Sequence, residues 1–367
     1  MADSITAEAL RQRMDKGEKL SILDVRDKED FAEWRIPGAL HCDAYDDLSA
    51  GRPGAVQTFA LLPRDRLVVA VCYAGHTSRY AADVLKARGF QAVSLQGGMN
   101  GWSTAWNAAE VSGAAGARVI QVRRTGKGCL SYLVGSEGEA AVIDPSLDPS
   151  IYLELAREKG WTIKHVLETH VHADHLSRAR ALSSAAAASL HVPRTERIRF
   201  SALAVDEGTR IKVGAHELVA MRTPGHTNES TCYLLDQKLL FTGDTLFLDA
   251  IGRPDLEADR QQATSRALTL HATLERLQKL PPETLVLPCH TSAPVPFDKR
   301  PLVAQLHQVR ARTPMLALPR NEFVARILDK LPETPPNHKL IVKANEAGDA
   351  SGLDASVEAG ANRCAVH

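Results

Sequence analysis

The residues of this sequence that are best suited to chemistry form a compact group of histidines and an aspartate. The segment Thr-His-Val-His-Ala-Asp-His-Leu-Ser places four such side chains within six residues: His170, His172, Asp174 and His175. One buried histidine usually serves packing, but several imidazoles beside a carboxylate supply the nitrogen and oxygen ligands that divalent metals take from proteins. The spacing therefore predicts a metal site that begins at His170.

Three later segments each place a histidine or an acid at a turn or just beyond an apolar run. His226 stands in Thr-Pro-Gly-His-Thr, Asp244 follows the run 239–241, and His290 follows the run 284–287. A Gly-Asp pair after a strand is by itself usually only a turn. Because ligands from several strand ends can converge at one edge of a sandwich of sheets, the set in this order predicts further members of the metal site.

A second candidate for chemistry is Cys72, which ends the β-type run 67–71. The loop after it is Tyr73, Ala74, Gly75, His76, Thr77 and Ser78, and an amphipathic helix is expected over 78–88. Loop N–H groups can converge on the sulfur, and the dipole of a following helix favours an anion there. An inert buried thiol is the common alternative, but the position at a helix start favours a thiolate or persulfide.

The elements that must position these residues divide the chain into four parts. Residues 1–106 alternate helices and strands, which predicts a parallel sheet. Residues 107–117 are rich in small residues and are interpreted as a linker. Residues 118–343 begin with antiparallel strands and continue with interspersed helices, which favours an α/β sandwich. Residues 344–367 are rich in Gly, Ala and Asp and are expected to be loose.

Composition narrows the class of protein and its partners. The 367 residues include 44 Lys+Arg and 44 Asp+Glu, so the formal net charge of +0 gives no electrostatic argument for nucleic acid or an anionic membrane. No segment approaches the ~18 apolar residues of a membrane span, and the N-terminus lacks the apolar core of a signal peptide. We therefore expect a cytoplasmic protein with reduced thiols that acts on small molecules.

The second part of the chain resembles a known superfamily. His-Val-His-Ala-Asp-His, then Pro-Gly-His-Thr, then Phe-Thr-Gly-Asp-Thr, then a terminal Cys-His is similar to the metallo-β-lactamase superfamily over about residues 119–297. The resemblance implies a four-layer αββα fold with the metal at the edge of the sheets. It does not name the reaction, because the fold supports several chemistries.

Two metal arrangements stay open at this point. A binuclear zinc hydrolase would place His170, His172 and His226 at one Zn(II), and Asp174, His175 and His290 at the other, with Asp244 bridging. A mononuclear enzyme would hold one Fe(II) with His170, His226 and Asp244 alone, since two histidines and a carboxylate leave positions for a sulfur and dioxygen. The remaining four side chains would then surround that site with hydrogen bonds.

The first part of the chain resembles the rhodanese family over about residues 4–106. Three segments carry the resemblance: Leu-Asp-Val-Arg from Leu23 with Ile-Pro-Gly-Ala from Ile36, the Cys72 loop, and Leu-Gln-Gly-Gly-Met-Asn-Gly-Trp from Leu95. The resemblance implies that Cys72 carries sulfane sulfur as a persulfide, cradled by the loop from Tyr73 to Ser78.

A rhodanese-like part followed by a metallo-β-lactamase-like part resembles the persulfide dioxygenases of sulfide oxidation, some of which are fused with rhodanese. That implies one Fe(II) per chain, a low-molecular-weight thiol persulfide such as glutathione persulfide as substrate, and thiosulfate or thiols as partners of Cys72. Asp174 is a further catalytic candidate. Arg253 is expected either to bind a substrate carboxylate or to pair with Asp255 at the surface. A homo-oligomer stays open.

The alternative function is a zinc-dependent thioester hydrolase of the hydroxyacylglutathione hydrolase type with two Zn(II) per chain. In that case the first part would be a carrier or interaction domain.

Overall fold

The chain opens with a parallel sheet covered on both faces, in a computed structural model that describes residues 3–112, 116–291 and 293–367. The strand order is β1-β5-β4-β2-β3, and every pairing is parallel. Its strands are β1 (Ser4–Ile5), β2 (Ser21–Asp24), β3 (Leu40–His41), β4 (Val68–Val71) and β5 (Ala92–Leu95). The helices around it are α1 (Ala7–Asp15), α2 (Lys28–Glu33), α3 (Tyr45–Ser49), α4 (Thr77–Ala87) and α5 (Gly98–Trp102), with a 3₁₀ turn at Gly54–Gln57.

Alternation along β4 explains why helices cover both faces of this sheet. Val68 and Ala70 pack in one cluster with Leu85 of α4. Val69 and Val71 point the other way and pack with Leu10 of α1 and with Trp102. A strand that is buried on both sides is typical of a parallel sheet, and the predicted fold class is confirmed for this part of the chain.

The predicted linker is in part a strand. β6 (Asn107–Val111) pairs antiparallel with β7 (Arg118–Arg124), with Val111 opposite Val119. Side chains of β6 alternate between buried and more exposed positions, as an edge strand requires. Small residues therefore fit the edge of a sheet here rather than a flexible connection. Residues 113–115, which the linker prediction also included, lie outside the described residues.

Two further sheets form a sandwich. The first has the order β12-β11-β10-β9-β8-β7-β6 and the second β13-β14-β15-β16-β18-β19. The remaining strands of the first are β8 (Cys129–Ser136), β9 (Glu139–Ile143), β10 (Thr162–Leu167), β11 (Ser189–Pro193) and β12 (Leu203–Val205). Those of the second are β13 (Arg210–Val213), β14 (His216–Arg222), β15 (Thr231–Leu235), β16 (Leu239–Gly243), β18 (Leu285–Pro288) and β19 (Ala304–Gln305), while β17 (Ile251–Gly252) lies apart.

Helices cover both outer faces of the sandwich, which gives the four-layer αββα order. Tyr132 and Phe241 meet in the core between the sheets with their rings 5.0 Å apart. The helices are α6 (Pro149–Glu158), α7 (Ala179–Ala186), α8 (Arg260–Leu277), α9 (Leu306–Arg312), α10 (Arg320–Asp329) and α11 (His338–Ala347), with a 3₁₀ turn at Pro314–Ala317. α6 and α7 pack on the first sheet, and α8 and α10 on the second. In the described part of the chain, no helix combines the length and the apolar character needed to cross a membrane.

The prediction that residues 344–367 are loose is wrong. The segment continues α11 and ends in β20 (Ala365–Val366), which pairs antiparallel with β17. Glu358 is fully buried and forms ion pairs of 3.1 Å with both Arg124 and Arg178. Composition suggested a loose tail, but the charges of this segment are neutralised by partners that are distant in sequence.

The parallel-sheet part and the sandwich are in direct contact. Trp34 Nε1 donates to the carbonyl oxygen of Gly126 over 2.9 Å, and Gly126 N–H donates to the carbonyl of Ala105 over 3.0 Å. A Cβ atom at Gly126 would lie 1.8 Å from the carbonyl oxygen of Trp102, so only glycine permits this approach. Arg363 also pairs with Glu33 at 2.5 Å.

Replacing Glu358 with Gln tests the burial of the C-terminal segment. The variant leaves Arg124 buried without a counter-charge, so we expect the free energy of unfolding at neutral pH to fall by about 3 kcal/mol. Burial alone raises the pKa of Glu358, but Arg124 outweighs burial and holds that pKa below its ordinary value. Its stabilisation is therefore present above the ordinary glutamate pKa and is lost as the pH falls through the lowered pKa.

Urea denaturation across pH measures this effect. The difference between the parent protein and Glu358→Gln should disappear at acid pH, where both side chains are neutral. Glu158→Gln, an exposed site at the end of α6, is the control and should change little. Equal midpoints for the parent and Glu358→Gln at neutral pH would contradict the burial of this ion pair.

Candidate metal centre and persulfide loop

Three buried side chains converge at the edge of the sandwich. His170 follows β10, His226 lies between β14 and β15, and Asp244 follows β16, and their ligand atoms lie within 4.8 Å of one another. Asp244 Oδ2 is 3.7 Å from His170 Nε2 and 3.7 Å from His226 Nε2. We call these three side chains the metal trio. Ends of strands from both sheets thus meet at one point, as the order of the motifs predicted.

Hydrogen bonds on the far side of each ring orient the two histidines of the metal trio. His226 Nδ1 donates to the carbonyl oxygen of Arg253 over 2.7 Å. His170 Nδ1 donates to Thr169 Oγ1 over 2.9 Å, and that hydroxyl donates to Asp144 Oδ2 over 2.9 Å. A proton fixed on Nδ1 leaves the Nε2 lone pair free, which is the arrangement found around metal-binding histidines.

The electrostatics of the metal trio favour neutral rings and a charged carboxylate. Burial lowers the pKa of both histidines, and the neighbouring His172 adds to the effect on His170. Burial alone raises the pKa of Asp244, but His290 and the two rings of the trio outweigh it and hold that pKa well below its ordinary value. Neutral imidazoles and an ionised carboxylate are the forms that bind metals.

His172 stands beside the metal trio, and two carboxylates hold one side of its ring. Its ring centroid is 4.2 Å from that of His170, yet its Nε2 contacts Glu168 Oε2 at 3.0 Å and Asp144 Oδ1 at 3.3 Å. Burial alone lowers the pKa of His172, but its interactions with Asp144, Cys289 and Glu168 together outweigh burial and raise that pKa well above its ordinary value. The carboxylates hold the ring by Nε2, and within the described residues its Nδ1 is buried without a hydrogen-bond partner, so that nitrogen is free to bind a metal.

A second buried group surrounds Asp174. His290 Nε2 lies 2.9 Å from Asp174 Oδ2 and His175 Nδ1 lies 3.0 Å from Asp174 Oδ1. Cys129 completes the group, with Sγ 3.7 Å from Asp174 Oδ2. Burial alone raises the pKa of Cys129, but His175 and His290 outweigh it and lower that pKa to about 6. His290 Nδ1 also contacts Asp244 Oδ1 at 2.5 Å, so His290 joins this group to the metal trio.

Unpartnered atoms indicate that the metal trio fits a metal ion. Within the described residues, three ring nitrogens outside the trio are buried without a hydrogen-bond partner, namely His172 Nδ1, His175 Nε2 and His290 Nε2, and so are His170 Nε2 and Asp244 Oδ2 within it. Leaving a buried polar atom unpaired costs free energy, and the two atoms of the trio face one another. The donor set of two imidazoles and one carboxylate suits Fe(II) with open positions, and it also accepts Zn(II).

Arg253 is buried and fully engaged in structural contacts. Its guanidinium group forms a two-pronged ion pair with Asp255, with both N···O distances at 2.8 Å. It also donates to the carbonyl oxygens of Glu333 and Arg363 over 2.9 Å and 3.0 Å. The sequence predicted the pair with Asp255, but at the surface, whereas the structure buries Arg253. These contacts leave the substrate-carboxylate interpretation without support, because the guanidinium binds the C-terminal segment instead.

Cys72 sits in a cradle of donors at the carboxyl end of β4. Its Sγ accepts N–H bonds from Gly75 over 3.2 Å and from Ser78 over 3.3 Å, next to the start of α4 at Thr77. Gly75 has a φ of +82°, and a Cβ atom there would lie 2.8 Å from Gly97 N. The predicted loop, which also contains Tyr73, Ala74 and His76, therefore directs two backbone N–H groups at the sulfur.

Sequence reasoning missed several buried groups that hold the site. Asp144 and Glu168 orient His170 and His172, and Cys129 lies beside Asp174. Asp144 directly follows β9, so its place after an apolar strand was an available signal. Cys129 offered none, since a single cysteine at the start of a strand is usually packing.

Asn345 stabilises the loop that carries His172 and His175. Its Nδ2 donates to the carbonyl oxygens of His172 and His175 over 2.8 Å and 2.9 Å, and its Oδ1 accepts from Ser177 N–H over 2.8 Å.

We expect Asn345→Asp, which keeps the shape but loses both donors, to weaken metal binding by about tenfold or more. Competition with a chromogenic chelator measures this, with the exposed Asn321→Asp as control. Equal affinities in parent and variant would contradict the role.

Both parts of the chain match known protein families. Residues 124–290 match the model of the metallo-beta-lactamase superfamily, and residues 6–105 match that of the rhodanese-like domain. The chain is 30% identical over 221 residues to the mitochondrial persulfide dioxygenase ETHE1 of Mus musculus, a match that covers 59% of this chain and 82% of that protein.

Other relatives point to a different reaction. The chain is 34% identical over 153 residues to a hydroxyacylglutathione hydrolase of Pseudomonas entomophila, which is 41% of this chain, and it spans only 56% of that relative's length. Among solved structures, ETHE1 from Myxococcus xanthus matches with a TM-score of 0.55 and 29% identity over 62% of this chain and 97% of that one. On these matches and the αββα architecture, the chain belongs to the metallo-beta-lactamase superfamily and carries a rhodanese-like domain ahead of that fold.

Proposed function

We propose that this enzyme is an iron-dependent persulfide dioxygenase joined to a sulfurtransferase unit in residues 1–106. The substrate would be a low-molecular-weight thiol persulfide such as glutathione persulfide. The overall reaction consumes the persulfide, O2 and water, and it yields the thiol, sulfite and two protons. The observation that carries the proposal is the metal trio of two histidines and one carboxylate in a chain that also holds a rhodanese-like domain.

The side chains of the metal trio and its neighbours have separate tasks in this proposal. His170, His226 and Asp244 would hold one Fe(II), which when bound supplies positions for a persulfide sulfur and for dioxygen. His290 holds Asp244 Oδ1 and so directs Oδ2 toward the two rings. Asp174 holds His290 from its other nitrogen, so we assign Asp174 as a positioning residue.

In the rhodanese-like domain we propose that Cys72 carries the sulfane sulfur. A thiosulfate ion would give its outer sulfur to the Cys72 thiolate and leave as sulfite, and a thiol would then take that sulfur as a persulfide. The N–H groups of Gly75 and Ser78 point at the sulfur and would stabilise its negative charge. The product of this domain would therefore be the substrate of the other.

Oxygen uptake tests the dioxygenase proposal. We expect iron-loaded protein to consume one O2 per glutathione persulfide and to release sulfite, and His226→Ala to lose both because it removes a ligand. Cys72→Ser should keep this activity, since Cys72 lies in the other domain. Iron-loaded protein that releases no sulfite from glutathione persulfide would overturn the proposal for this substrate.

A second assay separates the sulfurtransferase step. With thiosulfate and glutathione as the only sulfur compounds, Cys72→Ser should form persulfide at the uncatalysed rate, while the parent turns over. Cys42→Ser is the matched control, because Cys42 is also buried in this domain but lies outside the loop. Unchanged sulfur transfer in Cys72→Ser would mean that Cys72 is not the carrier.

The second candidate function is a thioester hydrolase with two Zn(II). Its support is the buried group of Cys129, Asp174, His175 and His290, whose ligand atoms lie within 4.8 Å of one another. Against it stands the rhodanese-like domain, for which thioester hydrolysis has no evident use. Zinc-loaded protein should therefore hydrolyse S-lactoylglutathione no faster than a His226→Ala control. Turnover well above that control would favour the hydrolase.

A further inference from the structure

A cavity of about 230 Å³ lies between the two domains, beside residues that adjoin both candidate centres. On the rhodanese-like side it is lined by Tyr73, which follows Cys72 directly, and by Asn100, whose N–H donates to the Tyr73 carbonyl over 3.0 Å. On the other side it is lined by Asp174, whose Oδ2 contacts His290. His290 in turn contacts Asp244 of the metal trio.

A buried ammonium group lines this cavity without a counter-charge. Lys127 is only 6% exposed, and its Nζ has one weak contact, 3.5 Å from the carbonyl oxygen of Gly360. Among the described residues, no carboxylate oxygen lies within 4.0 Å of Nζ. A buried charge is costly unless it is paired, so the position of Lys127 calls for an anion in the cavity.

The other charged residues of the lining are already paired or engaged. Arg26 forms a buried pair with Asp24 at 2.7 Å, and Arg363 pairs with Glu33 at 2.5 Å. Glu358 is held by Arg124 and Arg178, and Asp174 by its histidines. Asp30 also lines the cavity, and burial and the neighbouring Asp27 raise the pKa of its carboxyl group. Among the described residues that line the cavity, Lys127 is thus the cation without a carboxylate partner.

The volume favours a small occupant. Sites for drug-sized ligands measure about 300–1,000 Å³, so 230 Å³ is small for a tripeptide thiol and ample for an anion of a few heavy atoms. Trp34 and Asn100 offer further polar or aromatic surface beside Lys127. A sulfur oxyanion meets these limits, and it is also what the two proposed reactions share.

We propose that this interdomain cavity binds a small sulfur oxyanion, sulfite or thiosulfate, through Lys127, and that the anion is exchanged there between the two centres. The proposal rests on the proposed function. Sulfite formed at the metal trio would attack the outer sulfur of the Cys72 persulfide. A new S–S bond forms, the bond from that outer sulfur to Cys72 Sγ breaks, and its electron pair stays on Cys72 as a thiolate while thiosulfate leaves.

Calorimetric titration with thiosulfate tests the site directly. In a Cys72→Ser background, which prevents covalent turnover, we expect one site per chain, and Lys127→Met should weaken it by about tenfold or more. Lys127→Arg should retain part of the affinity, and Lys164→Met, an exposed position on β10, should change nothing. Ala359→Phe should also weaken binding, because it fills the cavity and leaves Lys127 in place. Unchanged affinity in both Lys127→Met and Ala359→Phe would overturn the proposal.

Isotope dilution tests the exchange. The parent enzyme receives unlabelled glutathione persulfide, O2 and an excess of ³⁴S-labelled sulfite, and the label in the sulfonate sulfur of the thiosulfate is measured. For the parent, we expect the thiosulfate to carry a smaller fraction of ³⁴S than the bulk sulfite. For Lys127→Met, we expect the thiosulfate to carry the same fraction as the bulk sulfite. Thiosulfate at the bulk value in the parent would refute exchange in the cavity.

The two failures are distinguishable. If glutathione persulfide yields no sulfite, the dioxygenase proposal fails, while the titration still decides whether Lys127 binds the anion. If sulfite forms normally but Lys127→Met binds thiosulfate like the parent, the cavity proposal fails alone.

Discussion

The carboxylate of Asp244 is the group on which the geometry of the metal site depends. It is buried, and an ionised carboxylate without partners would be costly there. One oxygen faces His290 and the other faces His170 and His226. The backbone is built closely around it, since a Cβ atom at Gly252 would lie 1.9 Å from the Asp244 carbonyl oxygen. The same short strand, β17, is the partner of the C-terminal strand β20.

This arrangement explains why the C-terminal segment belongs to the site. Asn362 Nδ2 donates to Asp174 Oδ2 over 3.0 Å, and Asn345 holds the carbonyl groups of the histidine loop. Arg253 contacts the same segment through the Arg363 carbonyl and is itself held by Asp255. The C-terminal segment therefore contacts the residues that surround the metal trio and helps to hold them in place.

Much of the fold and part of the site could be predicted from the sequence. Alternating helices and strands identified the parallel sheet, and the order of His170, His226, Asp244 and His290 after apolar runs identified the sheet edge. Local pattern could not show that Glu358 pairs with Arg124, which is 234 residues away. Nor could it show that β6 joins the sandwich, since small residues suit both an edge strand and a linker.

The arrangement of the domains adds a constraint that neither domain shows alone. Gly126 brings the turn between β7 and β8 against Trp34 and Trp102, and the adjoining Lys127 then faces the cavity. Tyr73 of the Cys72 loop and Asp174 beside the metal trio both line that cavity. Holding the two domains together raises the effective concentration of whatever passes between them.

We propose that the chain holds one iron at the metal trio and no metal at Asp174. Anomalous diffraction from crystals of the purified protein, recorded at the iron and zinc absorption edges, tests it most directly. We expect one iron peak among His170, His226 and Asp244. A pair of zinc peaks, with the second between His175 and His290, would contradict it.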